Sequence, residues 1–254
     1  MFGRNRRNAG AESPFWKQQG WVLSAAFLAV ALVMAAVTWL TTGDDGPAGP
    51  DAAAGKKGPL SPAAEKGGEG QRGDGRPDGC RTDDSNKAKP TASPGDVEWR
   101  PLNIARVPVS ASAGPLRFSG PVMWCFAHTP MGAVMAAHII PTHMSGSDWR
   151  TVTEQQLVAS PGRDIFVAQR STVPESARNG SAVGSYAGFA VTSYSQDAAT
   201  VQLLIKNGSG GYGSTFVAVK WDGGDWKVQA RSSGALYTSM TTVSGNAGFT
   251  MWKV

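Results

Sequence analysis

Twenty consecutive residues, Trp21 to Leu40 (WVLSAAFLAVALVMAAVTWL), contain no charge, no proline and no glycine. A helix of that length is about 30 Å long, the thickness of a bilayer's hydrocarbon core. Trp21 and Trp39 stand at its two ends, where indole rings favour the membrane interface. Arg4, Arg6, Arg7 and Lys17 precede the run against a single Glu12, and Asp44 and Asp45 follow it. This asymmetry of cations predicts a single-pass protein of the cell membrane with its N-terminus in the cytoplasm and the rest of the chain outside. A cleaved signal peptide would show an apolar core of about 7–15 residues and a small-residue cleavage site, which Trp39-Leu40-Thr41-Thr42 does not offer. A buried core helix would be expected to show an amphipathic face, and this run has none.

Three further segments follow from composition. Residues 1–20 form a basic cytoplasmic tail, and its arginines are accounted for by topology and by attraction to anionic lipid. Residues 41–95 hold no aromatic side chain and Leu60 as the only large aliphatic, while 19 of the 55 are Gly or Pro. Such a stretch has too little apolar surface to offset its ordering entropy, so a disordered linker is expected there. Arg72-Gly73-Asp74 lies within it and reads as a chance tripeptide. Residues 96–254 carry six of the nine tryptophans and form the expected outer domain. Cys80 falls in the linker and Cys125 in the apolar run Val122–Phe126. Outside the membrane the two can pair. A buried thiol is the commoner fate of a cysteine in an apolar run, and an intermolecular Cys80 bridge is a third case.

In the outer domain, helix signals precede strand signals. Thr129 with Pro130 predicts a helix start, Ala-rich Met131–Ile140 its body, and Pro141 its stop. Thr151-Val-Thr-Glu154 reads as a capping box ahead of Gln155–Val158, and Ser160-Pro161 as a third start. From residue 187 onward, apolar residues alternate with polar ones: Ala187/Phe189/Val191, Val201/Leu203/Ile205, Thr215/Val217/Val219/Trp221 and Trp226/Val228/Ala230. With Gly223-Gly224 as a two-residue hairpin loop, Trp221 faces Trp226 and Val219 faces Val228, and the apolar residues share one face. Helices first and an antiparallel meander second predict an α+β domain, helices packed on a curved antiparallel sheet, in the manner of an NTF2-like cone.

Catalytic signatures are scarce. The chain lacks the phosphate-binding, dinucleotide, zinc-protease, Cys-x-x-Cys and nucleophile-elbow patterns. His128, His138 and His143 are spaced by ten and five residues, which does not put three metal ligands on one helical face. Asp148, Glu154 and Asp164 sit where helices need solvated or capping carboxylates. The expectation is no enzyme, no metal and no cofactor. Tyr186 and Tyr194 share parity on one strand and are the candidates to line a cavity. The domain shows no run of Lys and Arg interleaved with aromatics, so direct nucleic-acid binding is not expected.

Val107-Pro-Val-Ser110, Gly114-Pro115, Phe126-Ala-His-Thr-Pro-Met-Gly-Ala133, Ser160-Pro-Gly-Arg-Asp164 and the Trp221…Gly224-Asp225-Trp226 hairpin resemble uncharacterised actinobacterial membrane proteins associated with conjugative or integrative elements. The order of tail, span, tether and α+β domain is also similar to VirB8-like and TcpC-like subunits of DNA-transfer machines, a likeness of architecture alone. The resemblance implies a bitopic scaffold of a conjugation or secretion apparatus. It would work by contact with other envelope proteins, with self-association left open. The alternative is a membrane-tethered NTF2-like domain that binds a ligand, or acts on one, in a cavity under the sheet.

Overall fold

The structure, a computed structural model, describes residues 58–60, 75–173 and 184–253. The tail and the apolar run 21–40 lie outside the described residues, and so do Arg4, Arg6, Arg7, Lys17, Trp21 and Trp39. Among the described residues no helix is long and apolar enough to cross a membrane.

The chain is α+β. A hairpin of β1 (Val97–Leu102) and β2 (Ala105–Ser110) comes first, turning through Asn103 at a φ of 52°. A short pair follows, β3 (Arg117–Ser119) with β4 (Val122–Trp124). Three helices come next: α1 (Pro130–His143), α2 (Trp149–Gln156) and α3 (Pro161–Ser171). The main antiparallel sheet is built from β5 (Gly184–Tyr194), β6 (Ala198–Asn207), β7 (Tyr212–Asp222) and β8 (Asp225–Val228). Short β10 (Thr250–Met251) borders β5, and β9 (Thr241–Val243) pairs with the first residues of β7.

Local sequence explains most of these elements. Thr129 caps α1, its hydroxyl accepting the Gly132 N–H at 3.1 Å, and Ser160 caps α3 through the Arg163 N–H at 3.3 Å. Pro141 does not stop α1, contrary to expectation, and the helix runs on to His143. The capping-box reading of Thr151 is also corrected. Helix α2 begins at Trp149, after an Asp148 whose side chain makes no capping bond. The β7–β8 hairpin has the expected register, Trp221 opposite Trp226 and Val219 opposite Val228. Gly223 and Gly224 both take positive φ, 61° and 78°, as a two-residue turn of this kind requires.

Helix α1 is the centre of the core. Residues Ala133 to Ile140 are all fully buried, so the helix is covered on every side. It contacts β5, β6, β7 and β8 together with β2 and α2. A helix with no polar face is enclosed by a core or by a membrane; α1, 14 residues long, is enclosed by the domain, and its three alanines keep it slim enough for neighbours on all faces.

The expected linker boundary at residue 95 is wrong for the residues described. Leu60, Cys80, Val122, Trp124 and Cys125 form a second buried cluster, and Cys80 is disulfide-bonded to Cys125. A buried free thiol at Cys125, the commoner case, is therefore not what the fold uses. Residues 75–95 run over the domain as a strap. Asp84 accepts the His128 N–H, Lys87 donates to the His128 carbonyl, Lys89 to the Thr192 carbonyl, and Pro90 O accepts the Thr250 hydroxyl. Composition misled here because the strap is held by one covalent bond and by hydrogen bonds rather than by apolar burial of its own.

Candidate functional site

Two places concentrate chemistry, and they are built on opposite principles. The first is an open cleft of about 550 Å³. One wall is α3, whose Phe166, Gln169 and Arg170 fall three and four residues apart and so share a helical face, with Val173 just beyond the helix end. The facing wall is the sheet, where Tyr186 pairs with Ile205 across β5–β6 and Leu203 with Thr215 across β6–β7. The end of α1 closes one side with Pro141 and Thr142, and the segment Gly234–Met240 closes another.

The floor is apolar: Leu203, Val217 and Leu236 are buried there. The rim is apolar and exposed, with Ile104 at 41%, Tyr237 at 54% and Met240 at 49% of their free surface. Large apolar side chains left together in water around an apolar cleft mark a surface meant to be covered. Among the described residues Arg170 is the only charged side chain on the lining.

The second place is a buried polar node beneath the strap. Asp225 is completely buried, and its carboxylate accepts three backbone N–H groups, from Cys125 at 2.7 Å, Phe126 at 3.0 Å and Trp226 at 2.9 Å. Burial pushes its pKa up to about 6 in spite of those donors and of the nearby Arg76 cation. Arg76 is itself 4% exposed; it pairs with Asp84 at 2.9 Å, donates to Thr82 and to the Cys80 sulfur, and lies over the Trp221 ring at 4.8 Å. His128 stacks on Trp221 at 3.7 Å, and its Nε2 donates to the Gln196 carbonyl. Gly224 is where strap and hairpin meet: any Cβ there would lie 2.3 Å from the Gly75 carbonyl oxygen. Lys227, expected on the solvent face of β8, is buried and faces Asp222 at 3.5 Å. Alternation misplaced Lys227 because β8 is buried on both faces.

The three histidines fill separate structural posts. His138 accepts the Trp252 indole N–H at its Nε2, so its Nδ1 carries the proton and donates to the Val134 carbonyl at 2.7 Å. Burial lowers its pKa to about 4, and does the same to His143. Burial also lowers His128. Among the described residues no three His, Cys, Asp or Glu groups come together as a metal site. Asp164 stands in the first turn of α3, as expected of a helix-stabilising carboxylate.

Of the two tyrosines expected to line a cavity, Tyr186 does so. Its hydroxyl meets Thr142 Oγ1 at 2.9 Å, and burial raises its pKa. Tyr194 does not: it sits beside Trp226, ring centres 6.2 Å apart, with its hydroxyl toward the His128 carbonyl at the node. The parity itself holds, because the two register shifts in the β5–β6 ladder, at Tyr186/Gly188 and Val191/Ser193, cancel and Tyr186 and Tyr194 pair with Ile205 and Ala199 of one β6 face; what separates the tyrosines is their position toward opposite ends of the strand. Sequence reasoning missed Arg170 and the rim residues Tyr237 and Met240. The 166/169/170 spacing carried a usable signal for the first, and nothing local marked the other two.

Fold and cleft together define an α+β domain with helices against an antiparallel sheet and an apolar cleft between them. The chain belongs to a family described as a domain of unknown function, DUF8175, whose model matches residues 60–251. That match begins at Leu60, inside the stretch expected to be linker. No curated protein and no solved structure matches the chain.

Proposed function

We propose that this is a membrane-tethered binding domain that works by contact in the cleft between α3 and the sheet. The observation that carries the reading is the pairing of an apolar floor with an exposed apolar rim at Ile104, Tyr237 and Met240. A volume of about 550 Å³ lies within the ~300–1,000 Å³ common for ligand sites. The setting proposed for it is the outer face of the cell membrane, anchored by residues 21–40, as an assembly subunit of a conjugative DNA-transfer or secretion apparatus. The Cys80–Cys125 disulfide supports an oxidising compartment. The uncharged run from Trp21 to Leu40 supports the anchor. An NTF2-like shape is the form of the fold that suits such a cleft.

The test is in-cell crosslinking of the full-length chain and of a Tyr237→Ser, Met240→Ser variant, followed by mass spectrometry of what remains attached. Contact through the cleft predicts envelope proteins on the native chain and their loss from the variant. An unchanged set of partners would place the contact elsewhere on the domain.

A further inference from the structure

A second pocket, about 290 Å³ and sharing no lining residue with the cleft, opens where the β1–β2 turn, the β3–β4 hairpin, the end of α1 and the start of α2 meet. Leu102, Phe118 and Met123 make its walls apolar, and its polar side chains are Asn103, His143 and Asp148. His143 is the anomaly. It is 7% exposed, and its Nε2 is buried and meets neither a donor nor an acceptor. A buried polar atom without a partner costs about 1–3 kcal/mol, so an occupant that bonds to it removes a penalty already present. Burial also keeps the ring neutral at pH 7, its pKa lowered to about 4 against the pull of the Asp148 charge. A neutral imidazole has one nitrogen lone pair to offer a donor.

The neighbouring polar groups also present acceptors. Asn103 Nδ2 is engaged with the Thr142 and His143 carbonyls at 3.2 and 3.3 Å, which leaves its amide oxygen. Asp148 precedes α2 without capping it, and among the described residues its carboxylate takes only the Ser147 hydroxyl, at 3.4 Å. Among the described residues no Lys or Arg lines the pocket. Arg100 lies over the Phe118 ring, 5.7 Å from its centre, and is paired with Glu98 at 3.3 Å. An occupant must therefore bring donors and positive charge. A metal ion is a poor match, because among the described residues no third His, Cys, Asp or Glu joins His143 and Asp148, and zinc commonly takes three or four protein ligands. A primary ammonium carries three N–H donors and one charge, and its alkyl stem suits an apolar wall.

We propose that this pocket binds an aliphatic primary ammonium group, its N–H groups bonded to His143 Nε2, the Asp148 carboxylate and the Asn103 amide oxygen, with its alkyl stem against Leu102, Phe118 and Met123. The inference stands apart from the reading of the cleft.

The experiment titrates the full-length chain in phosphatidylcholine nanodiscs with cadaverine by isothermal calorimetry, with the heat from empty nanodiscs subtracted. Saturable binding is expected, and none from pentanediol, the neutral diol of the same length. Asp148→Asn should weaken binding roughly tenfold, the loss of one charge-assisted contact, and His143→Phe by a similar factor. Asp164→Asn removes an exposed carboxylate from α3 and should leave binding unchanged, as should Tyr237→Ser at the cleft. A lysine blocked at its backbone amine and carboxyl distinguishes the sources of the group. Tighter binding than cadaverine assigns the pocket to a lysine side chain, weaker binding assigns it to a free amine, and either supports the ammonium. The amine-against-diol comparison on the native chain decides the matter even where His143→Phe fails to fold. Equal binding of the diol overturns the ammonium. Equal weakening by Asp164→Asn overturns the pocket, since the attraction is then to the surface at large. The absence of saturable heat from either amine overturns the inference outright.

Discussion

The two ends of this domain handle the same physical problem in opposite ways. At the node, Arg76, Asp225 and Lys227 are withdrawn from water, and each is met by an ion pair, a backbone donor or an aromatic ring. A strap and a disulfide then cover them. At the cleft, the hydroxyls are engaged with each other and with backbone, and the apolar rim stands in solvent. A chain that closes one end with covalent and ionic fastening and leaves the other apolar and open separates holding together from holding something. On the reading proposed above, the node is the stability end and the cleft is the binding end. Mutations should divide accordingly.

The largest effect expected is from Cys80→Ser. The disulfide closes a loop of 45 residues, and its loss removes about 4 kcal/mol from stability on a chain-entropy estimate. Chemical denaturation under oxidising conditions measures this, and crosslinking at the cleft at low denaturant should survive. If that crosslinking disappears with the strap, the separation between the two ends is broken.

Acid comes next. The folded pKa values of His138 and His143 are depressed to about 4, so unfolded chain takes up protons first as the pH falls through 6.5, and stability is lost between there and 4. Asp225, raised to about 6, opposes this, because the folded state binds its proton first over the same window. Two histidines outweigh one carboxyl, and the net loss from pH 7 to pH 4 should be roughly 3 kcal/mol. Urea midpoints at the two pH values read it. Replacing His138 by Gln should flatten the dependence, and an unchanged slope would place the titration elsewhere.

Gly224→Ala should cost roughly 2 kcal/mol, since it combines a φ of 78° with a clash against the Gly75 carbonyl. Thermal melting of the variant reads this, and a melt like the native one would mean the strap does not pass over the hairpin. The smallest change in stability, within about 0.5 kcal/mol, is expected for Tyr237→Ser at the exposed rim. The same substitution should weaken binding, and that contrast sharpens the division between the ends.

Much of the sheet was legible from sequence because two local signals agreed. The Gly223-Gly224 turn and the alternation on both sides of it fix one register, and a slip by one residue would turn every side chain over. Helix starts at Thr129 and Ser160 were legible for the same reason, a capping side chain followed by proline. Pro141 misled because a proline removes one backbone hydrogen bond without always ending a helix, and α1 runs two residues beyond it. The strap was illegible: nothing in a Gly-, Pro- and charge-rich stretch tells that Arg76, Cys80 and Asp84 will find Trp221, Cys125 and His128 far along the chain. Tyr186 lines the cavity and Tyr194 does not, the difference lying in distance along β5, because parity assigns a face of the sheet and not a position on it. The cleft itself depends on empty space between α3 and the sheet, and empty space leaves no pattern in a sequence.

The claim that the cleft end binds and the node end holds is tested most directly by a photo-crosslinking amino acid placed singly at Tyr237 or at Asp78, both exposed, in the full-length protein in intact membranes. Adducts at Tyr237, with few or none at Asp78, are the result predicted. Adducts at Asp78 alone would contradict the account and make the strap, not the cleft, the working surface.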